Sequence, residues 1–163
     1  MPNYIHWFAY DEMMIPENMK EHGLEYNAAF SVTLSAYRLK FNKIPLDNGG
    51  IEGLGQANIV PTSNNLGMME GMLYEIDEKF LPKIDELYHY PDEYLRKKMR
   101  FTKHDFSLVN AVVYMAQKDR TDDSLLPTKE VLKKFKVCKK ALTMLYISRL
   151  LNMPTLEDQK AES

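Results

Sequence analysis

The chain has 163 residues, of which 45% are hydrophobic and 27% are charged, as in an ordinary single globular domain. Its formal net charge of −2 argues against general nucleic-acid binding, which requires a strongly basic surface. The single cysteine, Cys138, excludes an internal disulfide and a cysteine-based metal site and is typical of a cytoplasmic protein. No apolar run reaches the roughly 18 residues of a membrane span, so we expect no membrane partner.

A buried strand, a loop and a helix open the chain. Residues 4–10 are rich in aromatic and β-branched side chains, which predicts a strand buried on both faces. Asp11 and Glu12 end that run, and Pro16 begins a short helix that we expect to end at Gly23. A strand end followed by a loop and a helix is typical of a pocket wall, because the loop N–H groups can face a ligand.

The next segment predicts a second strand region and a glycine-rich loop. Residues 28–42 are strand-like, with apolar side chains alternating from Tyr37 to Phe41. Residues 48–55 contain several glycines but lack the Lys-Ser/Thr ending of a phosphate loop. We therefore interpret them as a flexible connection between strands.

Two further strands and a helix follow. Residues 57–61 and 68–76 predict a β-hairpin, because a polar turn separates two apolar runs. Gly71, inside the second run, indicates a bulge or a close backbone approach. Residues 77–87 predict a helix whose apolar side chains recur on one face.

The remaining pattern completes an α+β domain. Residues 95–102 and 108–116 predict strands, and residues 127–146 predict the last helical region. We assign residues 1–153 to one domain and residues 154–163 to a flexible C-terminal tail. We expect a small mixed β-barrel or curved sheet, flanked by helices, to contain the strands beginning at Tyr4, Tyr37, Ala57, Met68, Leu95 and Leu108.

Three short stretches occur in an order typical of one known family. They are Phe8-Ala9-Tyr10, then residues 57–61 with 70–76, then Ile84-Asp85 with residues 90–96. Together they resemble the gamma-glutamylcyclotransferase family, in its small, plant-defence-related branch. The resemblance covers almost the whole chain and implies a small β-barrel with helices around it and one cavity.

The resemblance also implies a reaction. Members of this family close the glutamyl α-amino group of a γ-glutamyl amide onto its own γ-carbonyl, which releases an amine and 5-oxoproline. A carboxylate must take the ammonium proton and later serve the leaving amine. Backbone N–H donors must hold the α-carboxylate and the developing oxyanion, and no metal or organic cofactor is needed.

Two departures from the family pattern fall on the expected site. Tyr88 stands where the acid/base glutamate is expected, and a phenol is a poor proton acceptor at neutral pH. Asp11-Glu12-Met13 replaces the Gly-Ser-Asn of the substrate loop, and its two carboxylates would repel a substrate carboxylate. We therefore interpret the protein as a divergent member.

The candidate site residues follow from these matches and departures. A substitute acid or base is expected among Glu12, His89 and Glu93, because each lies near a changed position and can exchange a proton. The resemblance implies a small-molecule γ-glutamyl or related amine ligand. It implies ligand contacts from Tyr10, Asp11, Glu12, Met13, Tyr88 and Tyr114.

Two alternatives remain open beside the enzyme. The same cavity without an acid/base group would make a non-catalytic binding protein, selective for cations attracted by Asp11 and Glu12. A basic surface would instead indicate an interaction protein with salt-dependent affinity for polyanions. The lysines that suggest it are Lys129, Lys133, Lys134, Lys136, Lys139 and Lys140.

Overall fold

The structure, a computed structural model, describes residues 2–64 and 66–162. Its strands are β1 (Tyr4–Ala9), β2 (Ala28–Ser35), β3 (Tyr37–Lys43), β4 (Gln56–Pro61), β5 (Met68–Asp77), β6 (Tyr94–Lys103) and β7 (Leu108–Ala116). Its α-helices are α1 (Pro16–Glu21), α2 (Leu81–Leu87), α3 (Lys129–Lys133), α4 (Met144–Leu151) and α5 (Leu156–Glu162). No helix among these residues is both long and apolar enough to cross a bilayer.

Five strands close into a barrel in the order β1-β5-β2-β6-β7. Strand β5 lies antiparallel between β1 and β2, and β6 and β7 form a long antiparallel hairpin. The barrel closes where β1 runs parallel to β7, at the pair Trp7–Val112. The predicted fold class, an α+β domain built on a small mixed barrel, is confirmed.

Strand β1 lies at the centre of the core, as its composition predicts. Trp7 and Phe8 are each 1% exposed, although they point to opposite faces of the strand. Phe8 packs on Phe101 with ring centroids 4.4 Å apart, and Trp7 packs on Tyr74 at 5.6 Å. Burial of each such side chain contributes about 1.5–3 kcal/mol. The end of β1 is thereby held firmly at the position where the candidate site begins.

Gly71 permits β5 to approach the end of β1. A Cβ atom at this position would lie 2.6 Å from the carbonyl oxygen of Ala9 and 2.5 Å from Cε1 of Phe8. Neither distance allows a side chain, so the close approach expected from the glycine is present.

The prediction that six strands share one sheet is wrong for two of them. Strands β3 and β4 form a separate two-stranded sheet, and β4 pairs with β3 rather than forming a hairpin with β5. The cause lies at Ala36, whose φ of 72° turns the chain sharply between β2 and β3. Backbone hydrogen bonds from Ala36 N–H to Gly67 and from Thr62 N–H to Ala36 keep the second sheet at this turn.

The last helical region is divided rather than continuous. Helix α3 ends in a 3₁₀ turn, Lys134–Val137, and α4 begins only at Met144. Thr143 caps α4 by accepting from Tyr146 N–H, and its own N–H and hydroxyl donate to the buried Glu70 at 2.7 and 2.8 Å. This contact fixes α4 to β5.

Helix α5 stands where the sequence suggests a flexible tail. Leu156 is 7% exposed, its N–H donates to the Pro127 carbonyl, and one of its methyl groups packs near Gly53. The boundary between domain and tail at residue 153 stays a prediction.

Candidate functional site

A cavity of about 360 Å³ opens beside the loop that follows β1. This volume is in the range of small-molecule sites. Asp11, Glu12 and Met13 of the loop form one wall together with Tyr88, which directly follows α2. Side chains from distant segments complete the lining: His22, Phe41, Leu54, Gln56, Leu87, Tyr94, Val131 and Phe135.

Asp11 determines the shape of the loop. Its Oδ1 accepts a hydrogen bond from Met13 N–H at 3.0 Å, and its carbonyl accepts one from Met14 N–H. These bonds produce a 3₁₀ turn, as an Asp in the N-cap position favours. The Tyr74 hydroxyl donates to the Met13 carbonyl at 2.7 Å and anchors the turn to β5. The Met13 N–H therefore already has an acceptor within the loop.

Tyr88 connects the helix side of the cavity to this loop. Its hydroxyl donates to Oδ2 of Asp11 at 2.8 Å. The Tyr88 ring stacks on Tyr114, with centroids 4.5 Å apart and planes 11° apart. Tyr94 and Trp7 contact it edge-on at 5.2 and 6.3 Å. The phenol is thus fixed in position by three aromatic neighbours.

Burial raises the pKa values of both Asp11 and Tyr88. Burial raises the pKa of the Asp11 carboxyl, and the hydrogen bonds from Met13 N–H and the Tyr88 hydroxyl offset only part of that effect. Burial, together with the nearby Asp11 charge, raises the pKa of Tyr88 well above its usual value. Tyr88 is therefore a hydrogen-bond donor at neutral pH, and Asp11 is the group of the pair that can exchange a proton.

Tyr10 and Tyr114 lie behind the cavity wall rather than on it. The Tyr10 hydroxyl donates to the Tyr114 carbonyl at 2.5 Å in the core. The Tyr114 hydroxyl donates to Asp85 at 2.6 Å, and Arg96 pairs with the same carboxylate at 3.3 Å. Tyr114 therefore supports the ring of Tyr88 by stacking, and Tyr10 holds the backbone of Tyr114.

Glu12 lies on the cavity wall but close to solvent. Its side chain is 43% exposed, and its Oε1 lies 3.3 Å from Nζ of Lys134. This distance and exposure are typical of a weak surface ion pair. Glu12 adds negative charge to the mouth of the cavity without being desolvated.

His89 and Glu93 line a second cavity, of about 260 Å³, which shares Tyr88 with the first. His89 is exposed and has a φ of 51°. Glu93 is buried and pairs with Lys43 at 2.9 Å and with Arg120 at 3.1 Å. The hydrogen bond from Lys43, with the charges of Lys43 and Arg120, lowers the pKa of Glu93 despite its burial. Glu93 is therefore held as a paired carboxylate.

The lysines of residues 129–140 remain on the surface. All six are exposed, although Lys134 pairs with Glu12 and Lys129 lies 3.6 Å from Asp158. Of the six, Lys134 approaches the mouth of the first cavity through its contact with Glu12.

Sequence reasoning did not identify several residues of the lining. Phe41, Gln56 and Phe135 come from segments far apart in the chain, and only the barrel and the second sheet bring them together. The contact between Asp11 and Tyr88 was also not predicted, although an Asp directly after a buried strand is a recognisable signal for a site at a strand end.

The fold is similar to that of several solved structures. One solved structure, named gamma-glutamyl cyclotransferase, has a TM-score of 0.73 at 14% identity, covering 98% of both chains. YkqA from Bacillus subtilis gives 0.74 at 15% identity over 94% of this chain and 56% of its own. A yeast gamma-glutamyl cyclotransferase specific to glutathione gives 0.64 at 11% identity, covering 91% and 94%.

The family follows from the sequence itself. The profile of the family described as gamma-glutamyl cyclotransferase, AIG2-like, matches residues 8–132. The chain belongs to this family. No curated protein sequence matches it.

Proposed function

We propose that the protein catalyses cyclotransfer on γ-glutamyl amines, with Asp11 as the proton acceptor in place of the family's glutamate. The observation that carries the proposal is the 2.8 Å hydrogen bond between the Tyr88 hydroxyl and Oδ2 of Asp11. The bond supports the proposal because it joins a carboxylate of the loop to Tyr88, the residue at which the resemblance implies the acid/base glutamate.

Asp11 has the properties that the proton transfer requires. Its raised pKa makes it a stronger base than an exposed carboxylate, and it lies on the cavity wall. In the proposed reaction it takes a proton from the substrate α-ammonium group, so that the amine nitrogen can attack the γ-carbonyl carbon. It returns this proton to the leaving nitrogen as the γ-amide bond breaks.

Tyr88 serves as a fixed donor in the same proposal. Its high pKa keeps the hydroxyl protonated, and its ring is held by Tyr114 and Tyr94. The single hydroxyl hydrogen is directed at Oδ2 of Asp11, so Tyr88 holds that carboxylate in one orientation beside the bound substrate. The apolar lining from Phe41, Leu54 and Phe135 suits a leaving amine with a hydrophobic body.

A second candidate function is non-catalytic binding of a cationic small molecule. It is favoured by the hydrogen bond from Met13 N–H to Asp11, because a loop donor that the family's reaction needs is already occupied. Asp11 and Glu12 would then attract an ammonium group, and no bond would break.

We also propose a cytoplasmic location, because the single cysteine, Cys138, is a buried free thiol.

The test is the release of amine and of the lactam product from a panel of γ-glutamyl amides. We expect Asp11→Asn to reduce the rate by about 10²–10⁴, the usual contribution of general acid–base catalysis. Glu12→Gln is the matched control, since it removes a neighbouring exposed charge and should change the rate less than about threefold. Absence of turnover, together with a rise in Tm on adding alkylamines, would favour the binding protein instead.

A further inference from the structure

Both oxygens of the Asp11 carboxylate already accept hydrogen bonds from the cavity wall. Oδ1 accepts from Met13 N–H at 3.0 Å, and Oδ2 accepts from the Tyr88 hydroxyl at 2.8 Å. A substrate carboxylate bound at this wall would compete with Asp11 for the same two donors. The Asp11 carboxylate therefore uses the two hydrogen-bond donors that a substrate carboxylate would need.

The charges around the cavity also oppose a carboxylate. Asp11 and Glu12 both lie on its wall, and within residues 2–64 and 66–162 no Lys or Arg lines it. Lys134 approaches the mouth but pairs with Glu12. His22 is on the lining as an exposed side chain at the rim. A substrate carboxylate would thus meet like charge at short range without a desolvated cation to compensate.

We infer that the site takes glutamyl donors whose α-carboxyl group is uncharged because it is joined in an amide or ester. The inference rests on the proposed function and names its substrate class. Such a donor keeps the two groups that react, the α-amine and the γ-amide. Its α-ammonium group is attracted by Asp11 and Glu12, and its neutral α-carbonyl is not repelled. A glutaminyl residue at the start of a peptide has this constitution, with ammonia as the leaving group.

The reaction on this donor balances without a cofactor. The α-ammonium group gives one proton to Asp11, and the amine nitrogen forms a bond to the γ-carbonyl carbon. The bond from that carbon to the leaving nitrogen then breaks, and Asp11 protonates this nitrogen. The second proton lost by the attacking nitrogen goes to the released amine, which leaves as an ammonium ion. The lactam product is 5-oxoproline with its carboxyl group still in the amide or ester.

The first arm of the experiment compares two donors of the same size. They are γ-glutamyl-alanine and its analogue in which the glutamyl α-carboxyl is a primary carboxamide, and released alanine is measured for both. We expect the carboxamide to react at least about tenfold faster in kcat/KM, the scale expected when a close like-charge contact is removed.

The second arm measures binding without turnover. Calorimetry compares 5-oxoproline with 5-oxoprolinamide, which differ only in the charged group, on the wild type, Asp11→Asn and Glu12→Gln. We expect the wild type to bind the amide at least about tenfold more tightly. Asp11→Asn should reduce that ratio to below about threefold, and Glu12→Gln should reduce it less, because the exposed charge of Glu12 is screened by solvent.

The two arms separate failure of the inference from failure of the proposed function. Equal or faster reaction of γ-glutamyl-alanine with the free carboxylate overturns the inference and leaves cyclotransfer standing. Release of alanine from neither donor overturns cyclotransfer, and the binding ratio then decides the selectivity by itself. Equal binding of the two lactams, binding of neither, or a ratio that Asp11→Asn does not change overturns the inference.

Discussion

The Tyr88 hydroxyl donates to Oδ2 of Asp11 across 2.8 Å and joins the end of α2 to the loop after β1. The resemblance to the family implies a glutamate at the position of Tyr88 and a glycine at the position of Asp11. In this chain the carboxylate belongs to the loop, and the helix end contributes a phenol. The two departures that look independent in the sequence are one hydrogen-bonded unit in the structure.

Tyr88→Phe tests this unit directly. Removal of the donor destabilises the Asp11 carboxylate, so the pKa of Asp11 should rise further above its ordinary value. Because Asp11 acts as a base in the proposed reaction, the acidic limb of the profile of kcat/KM against pH should move to higher pH.

Tyr94→Phe is the control for this variant. The Tyr94 hydroxyl donates to the Ala57 carbonyl at 2.9 Å rather than to Asp11, although its ring also touches Tyr88. Tyr94→Phe should leave the acidic limb of the profile of kcat/KM against pH at the same pH as in the wild type. An unchanged limb in Tyr88→Phe would contradict the coupling between Tyr88 and Asp11.

Restoring 5-oxoproline release should require changes both at Tyr88 and in the loop that contains Asp11 and Glu12. Tyr88→Glu alone places a second carboxylate beside Asp11, and two carboxylates at hydrogen-bond distance cannot both be readily ionised. We expect little gain in 5-oxoproline release from γ-glutamyl-alanine. The triple variant Tyr88→Glu, Asp11→Gly, Glu12→Ser removes both loop charges and frees the Met13 N–H, so measurable release is expected. A triple variant that folds but releases no 5-oxoproline would show that the cavity suits another ligand.

The barrel is predictable from the sequence because its strands have clear apolar patterns. Residues 4–10 and 108–116 contain the buried side chains that their composition indicates. The second sheet is not predictable, because a change of pairing partner depends on the single left-handed turn at Ala36, and alanine gives no signal for positive φ.

The candidate site, like the second sheet, could be predicted only in part from the sequence. The chain positions of Asp11 and Tyr88 mark them as departures, but nothing along the sequence shows that their side chains meet. Glu93 is a similar case, since its partners Lys43 and Arg120 lie on other segments. Glu93 lies close in sequence to the position of the expected glutamate, but its carboxylate is held in a buried ion pair.

The buried pair of Lys43 and Glu93 should matter for stability. The two side chains are 1% and 8% exposed, so Lys43→Met leaves a buried carboxylate with only Arg120 as a charged partner. Because Arg120 stays beside the carboxylate, we expect a loss of about 1–3 kcal/mol in the free energy of unfolding, measured with urea. The double variant Lys43→Met, Glu93→Leu should recover part of this loss. If the double variant is no more stable than Lys43→Met, charge burial is not the cause.

Asp11 and Glu93 should affect stability in opposite directions as the pH changes. The pKa of Glu93 is lowered in the fold, so its stabilisation is present above its unfolded pKa and is lost as the pH falls through the folded value. The pKa of Asp11 is raised, so its contribution is most favourable below its unfolded pKa and is lost as the pH rises through the folded value. Each unit of pKa difference corresponds to about 1.4 kcal/mol.

Urea unfolding of the wild type, Asp11→Asn and Glu93→Gln between about pH 3 and 8 measures both effects. Asp11→Asn should be more stable than the wild type at pH 7, and the difference should shrink toward pH 4, because the wild-type carboxyl becomes protonated. Glu93→Gln should be less stable at pH 7, and its deficit should shrink only as the pH falls below about 4. An Asp11→Asn variant that is less stable than the wild type at pH 7 would show that the hydrogen bonds from Met13 and Tyr88 outweigh the burial of the carboxylate, and Asp11 would then be too weak a base for the proposed reaction.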